Sequence, residues 1–262
     1  MKNYDFSEPT TYTTSPIYVG STVLGVKFNN GVVIATDTRL NYGSLAKFYN
    51  VNDRVQKLNN NTIIGSSGEY SDFQEILRIL QEEALNDYLQ NNNSESSRSY
   101  LGPSEMVNYL ATMSYYKRNK MNPYWNSTII GGIGWDGEPT LKSVDQFGTL
   151  LEGNYIVTGF GIYFSNAILE PNCSGDYRDM TKERAIELLE YSFRVLFYRD
   201  AKAGNHLKFG VMEKKDDFID YFEFEKTISS VWNHDQFLKS GNEKFYMGYE
   251  KSRSEKSKNL ST

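Results

Sequence analysis

The stretch Val19 to Leu40, VGSTVLGVKFNNGVVIATDTRL, sets a glycine and two hydroxyl residues, Gly20-Ser21-Thr22, at the mouth of two apolar runs. A hydroxyl becomes a useful nucleophile only where a base is brought to it. Other reactive residues offer less. Cys173 is the lone cysteine and lies in the turn-rich LEPNCSGDYRD, so it has no partner for an internal disulfide or a zinc cluster and reads as a loop thiol in a reducing compartment. His206 and His234 lack companions at metal-ligand spacing. The GGIG of Gly131 to Gly134 sits between strands rather than ahead of a helix, which is a poor place for a phosphate. No metal and no cofactor is implied.

The elements that would position the hydroxyls are legible in the pattern. Ser21 to Phe28 and Val32 to Ala35 read as buried strands, with Asn29-Asn30-Gly31 expected to supply the positive φ of a tight hairpin. Short strands are expected around Tyr49–Val51 and Thr62–Ser66. Ser71-Asp72 is read as the cap of FQEILRILQEEALNDYLQ, whose apolar residues recur at helical spacing. The polar tract NNNSESSRS, Asn91 to Ser99, reads as a surface loop, and Pro103-Ser104-Glu105 opens a second helix to about Arg118. Strands follow at Ser127–Gly132, Thr140–Asp145 and Asn154–Gly159, then helices at Tyr163–Leu169 and Thr181–Tyr198, then a hairpin of Leu207–Glu213 and Phe218–Phe224. The order β, αα, β, αα, β is not the alternation of a parallel sheet. It predicts an α+β chain with two mainly antiparallel sheets packed together between layers of helix pairs.

Composition bounds the function. A net charge of -5 over 262 residues gives no bias toward nucleic acid. No apolar run is long enough to span a bilayer and MKNYDFSEPTTYTT has no apolar signal core, so a soluble intracellular chain is expected, with no membrane partner. Aromatic residues make up 15%, with 20 Tyr, which suggests that more than the chain's own core is buried.

At four places in order the residues resemble a family. GSTVLGVKFNNGVVIATDTRLNYGSL, SSGEYSD, VTGFGIYFSNAILE and LFYRDAKAGN are similar to segments of proteasome β subunits and together span Gly20 to about Glu225. The resemblance implies the four-layer αββα sandwich of the N-terminal-nucleophile hydrolases. It divides the chain into an N-terminal extension over 1–20, a β-type domain over 21–225, and an arm and tail over 226–262. In an active member the propeptide is cut after the glycine, exposing a threonine whose hydroxyl attacks the peptide carbonyl and whose own amine is the base. A lysine lowers the amine pKa, an aspartate orients that lysine, and a Ser-Asp-Ser group steadies the N-terminal residue.

Carried onto this chain, the nucleophile position falls on Ser21. The lysine position falls on Asp53 by ungapped count, or on Arg54 with a one-residue insertion that brings Gly68 and Asp72 into register. An arginine stays protonated and an aspartate has the wrong sign, so neither replaces the lysine. Asp37 and Asp200 match the two aspartates, whereas the two serines are replaced by Phe160 and Ala203. The aspartates are expected to be buried carboxylates satisfied by neighbouring backbone donors. The pattern thus resembles the non-catalytic β subunits, in particular the type-4 kind at the seventh place of the β ring, with TTSPIYVGS, KRNKMNPYWNS and VLFYRDA as pointers. In those the extension is only trimmed, which here implies a mature start near Thr13 or Thr14.

The segment EKTISSVWNHDQFLKSGNEKFYMGYE carries Val231, Trp232, Phe237, Phe245, Tyr246 and Tyr249 without an amphipathic period. By the resemblance, about Thr227 to Tyr249 would form an arm clamped between two subunits of the opposite β ring. The expected partners are β subunits of the same and the opposite ring and α-ring subunits, and the expected location is cytoplasm and nucleus. The competing reading is an active N-terminal-serine peptidase or amidase that uses Ser21 after cleavage at Gly20. An α-ring subunit is disfavoured because the N-terminus lacks that branch's Tyr-rich, helix-forming opening.

Overall fold

The structure is a computed structural model that describes residues 14–43, 46–48, 53–91, 101–215 and 218–229. The chain divides into two compact units, Met1–Ile228 and Ser229–Thr262, and every element described here belongs to the first. The expected strand at Tyr49–Val51, the tract 92–99, Thr13 and the six arm residues from Val231 to Tyr249 lie outside the described residues.

Four layers form because the strands bury both faces. In β2 (Val23–Phe28) and β3 (Gly31–Asp37), Val23, Val32 and Ile34 point to one side while Leu24, Val26, Val33 and Ala35 point to the other. That period of two holds in β7 (Thr62–Glu69) and β8 (Asn126–Ile133), where Ile63 and Ile129 join the first set and Ile64 and Ile130 face away. The shared set, with Leu141 and Met212, is the layer between the sheets. The outward set of one sheet packs on α1 (Tyr70–Asn91) and α2 (Pro103–Asn119) through Phe73, Leu80, Met106 and Leu110. That of the other packs on α3 (Ile162–Cys173) and α4 (Lys182–Arg199) through Leu169, Leu189, Phe193 and Leu196. The αββα sandwich is the fold that the segment order predicted.

Both sheets are antiparallel. The five-stranded sheet runs β11 (Tyr155–Val157), β2, β3, β12 (His206–Lys215), β13 (Phe218–Thr227). The eight-stranded sheet runs β10 (Leu150–Glu152), β9 (Pro139–Val144), β8, β7, β1 (Tyr18–Gly20), β4 (Leu40–Tyr42), β5 (Ala46–Phe48), with β6 (Val55–Lys57) also joined to β7.

Several local expectations change. Among Asn29, Asn30 and Gly31 none takes positive φ. Glycine is needed at 31 for closeness instead, since a Cβ there would lie 2.1 Å from the Met212 carbonyl oxygen. Ser71 and Asp72 do not cap α1, which starts at Tyr70 directly after β7. The Ser71 hydroxyl donates to the Glu69 carboxylate (3.1 Å) and the Asp72 carboxylate accepts the Trp125 N–H (2.9 Å). Thr181 does cap α4, accepting the Arg184 N–H at 3.3 Å. Strand β13 runs past Phe224 to Thr227, and Ile228 is buried, its N–H on the Asn205 carbonyl at 2.8 Å. Cys173 is buried rather than a loop thiol, and burial pushes its thiol up to about 11. No helix among the described residues is long and apolar enough to cross a membrane.

Candidate functional site

The residues before Ser21 are part of the sheet. Strand β1 pairs with β4, Tyr18 opposite Tyr42 and Val19 opposite Asn41. On its other side it pairs with β7, Val19 opposite Glu69 and Gly20 opposite Gly68. Glu69 extends this hold backwards, its buried carboxylate accepting the N–H of Ile17 and, at 3.0 Å, that of Tyr18. Thr14, just upstream, is exposed.

Ser21 itself is 8% exposed, and its hydroxyl donates to the Asp200 carboxylate. Its carbonyl abuts Gly159, which has φ +65 and where a Cβ would stand 1.9 Å from that oxygen. Only glycine meets both conditions. Thr22 is fixed by different partners, its hydroxyl accepting the Gly161 N–H at 2.9 Å and its carbonyl the Thr36 hydroxyl at 3.0 Å.

The structure places Asp53 and Arg54 differently. Asp53 turns outward, where its carboxylate holds Lys208, which also lies 3.2 Å from Glu223. Arg54 is buried and ion-paired with Asp37. Its guanidinium also donates to the carbonyls of Asp37 (2.7 Å), Thr22 (3.3 Å) and Ser66 (3.4 Å), while Nε finds no acceptor among the described residues. Burial pushes the Asp37 carboxyl up, and Arg54 and the Gly204 N–H, 2.6 Å away, push it back down. Burial lowers the Arg54 pKa and Asp37 opposes that, but an arginine keeps its proton at neutral pH in either case. The pair is a fixed charge, not a proton carrier.

Asp200 accepts the Lys202 N–H at 2.8 Å besides the Ser21 hydroxyl. Each aspartate therefore has the backbone donor that was expected, and each also has a side-chain partner. The turn after Asp200 is pinned at successive carbonyls, by Lys47 on Ala201 (3.0 Å), Asn41 on Lys202 (3.1 Å) and Arg39 on Ala203. Ala203 is a buried core residue. Phe160 is 42% exposed and packs on Tyr163 and Phe164, each centroid 5.5 Å away. A cavity of about 780 Å³ opens here, walled by Gly20, Ser21, Trp125, Asn126, Phe160 and Asp200 among others. The six carried-over positions thus fall in one region: Ser21 with Asp200, Arg54 with Asp37, and Phe160 and Ala203 beside them. Sequence reasoning missed Glu69, whose only signal is one acid closing the otherwise neutral strand TIIGSSGE.

His206 Nδ1 lies 2.9 Å from the Thr227 hydroxyl across β12 and β13, and no cluster of potential metal ligands occurs among the described residues.

A family profile described as "Proteasome subunit" matches residues 17–212. The chain belongs to the proteasome subunit family. Proteasome subunit beta type-4 of Xenopus laevis is 37% identical over 200 residues, covering 76% of this chain and 79% of the relative. The probable proteasome subunit beta type-7 of Schizosaccharomyces pombe is 37% identical over 226 residues, 86% and 83% of the two chains. Proteasome subunit beta type-4 of Arabidopsis thaliana is 38% identical over 196 residues, 75% and 76%. Membership implies assembly into a multi-subunit proteasome complex. The family match begins at Ile17, where the Glu69 carboxylate first grips the chain, so the strand ahead of Ser21 lies inside the proteasome fold.

Proposed function

We propose that this chain is a non-catalytic structural β subunit of the 20S proteasome core particle, contributing to ring assembly and the chamber wall. One observation carries this reading: β1 runs unbroken into Ser21, paired on both sides and held by Glu69. With β1 in place Ser21 is an internal residue whose nitrogen is an amide, so the base that an N-terminal nucleophile needs is missing. Arg54 in the lysine position and the loss of two hydroxyls at Phe160 and Ala203 support the same conclusion. The relatives named beta type-4 favour it over a peptidase that uses Ser21. The partners would be neighbouring β subunits, the opposite β ring and the α ring, in the cytoplasm and nucleus.

The deciding measurement is the intact mass of this chain taken from the assembled complex. The expected result is a start near Thr13 or Thr14, with β1 retained. A start at Ser21 would overturn the proposal.

The arm reading, which rests on the aromatic residues from Val231 to Tyr249, has its own test. Truncation after Ile228 preserves the last buried residue of the described core, so the shortened subunit is expected to fold but to slow the joining of half-particles. Full-particle yields equal to wild type on native gels would remove the clamp role.

A further inference from the structure

The cavity beside Ser21 is unused by the structural role, and at about 780 Å³ it falls within the size range of small-ligand and peptide pockets. Its charges are not equivalent. The two acids on its wall are already engaged. Asp200 takes the Ser21 hydroxyl and the Lys202 N–H, and Asp145 takes the N–H groups of Phe147 and Thr149, each at 2.8 Å. The two cations on its wall, Arg199 and Lys202, are exposed and have no ion-pair partner among the described residues. Trp125 and Phe160 add apolar wall. The hydroxyl oxygen of Ser21 retains acceptor capacity while its proton is committed to Asp200.

We propose that this cavity is a non-cleaving binding site for the C-terminal carboxylate of a peptide with an apolar last residue. The carboxylate would sit against Arg199 and Lys202, and the last side chain against Trp125 and Phe160. A terminal carboxylate suits the site because both cations are exposed and without an ion-pair partner among the described residues, whereas each acid on the wall already accepts two hydrogen bonds. This inference rests on the reading of Ser21 as non-catalytic, which leaves a bound peptide intact.

The test uses assembled particles whose active nucleophiles are blocked, so that the subunit is studied in its complex. The probe is a short peptide with an internal benzophenone photocrosslinker and a C-terminal phenylalanine, made with a free carboxylate or as the carboxamide. Crosslinks are mapped by mass spectrometry onto this chain. Saturable labelling of the segments around Trp125 and Phe160 is expected, about tenfold weaker with the carboxamide and about tenfold weaker in the Arg199→Ala/Lys202→Ala particle. Equal labelling by the two probes, or labelling unchanged by the double substitution, would overturn the proposal. So would equal labelling by a third probe that carries an internal glutamate and a C-terminal amide, which would assign the site to acidic side chains. An acyl adduct on Ser21 would instead overturn the non-catalytic reading, and the carboxylate preference is scored separately from it.

Discussion

Replacement of Arg54 by alanine is expected to lower the stability of the fold by about 3–5 kcal/mol. The reason is the position of its partner. Asp37 is 1% exposed, and without the guanidinium its carboxylate is left, among the described residues, with the Gly204 N–H as its hydrogen-bond donor and with the field of Arg39. Three carbonyls, of Thr22, Asp37 and Ser66, lose a donor at the same time. Arg54→Lys should cost less, since an ammonium can still reach Asp37, but more than a surface change, because one nitrogen cannot serve four acceptors spread around a planar fork. Adding Asp37→Asn to Arg54→Ala should recover part of the loss by removing the stranded charge. Urea unfolding at neutral pH would measure the set. A loss below about 1 kcal/mol for Arg54→Ala would mean that water enters and solvates Asp37, and the pair would not be holding the site together.

The layers of this fold were legible because its strands are apolar on both faces and its helix pairs carry a stripe. Apolar runs and stripes of that kind depend only on the chain's own residues. What escaped were features set by contacts distant in sequence. Strands β1, β4, β5, β6 and β10 are three residues each, too short for a period, and β1 exists only because β7 and β4 offer an edge on each side. The choice between Asp53 and Arg54 could not be made by counting, since it depends on which side chain turns inward at the entry to β6. The Asn-Asn-Gly turn misled for a related reason: its glycine answers to the backbone of β12, some 180 residues on, rather than to local φ.

Asp37 and Asp200 each fix a neighbour, the first Arg54 and the second Ser21. The charge at Arg54 cannot be removed at neutral pH, so in this centre it acts as a permanent strut. The strut also accounts for Gly20, where a Cβ would meet the Arg54 side chain.

Gly20→Ala is expected to cost about 1–3 kcal/mol in the wild-type background, and most of that cost should vanish when Arg54 is alanine. A Cβ at residue 20 would stand 2.5 Å from Arg54 Cδ, 2.6 Å from Nε and 2.7 Å from Nη1. A free arginine would swing away cheaply, but this one is tied by its ion pair and its three carbonyl acceptors, so the strand must give instead. Strand β1 has little room to do so, being paired to β4 and β7 and gripped by Glu69. A double-mutant cycle read by urea midpoints isolates the clash from other effects of each change. A coupling of at least 1 kcal/mol would mean that Gly20 is kept to admit the guanidinium stem. Additive effects would refer the glycine to some other cause, and Arg54 would lose its role as the strut that fixes the strand entering Ser21.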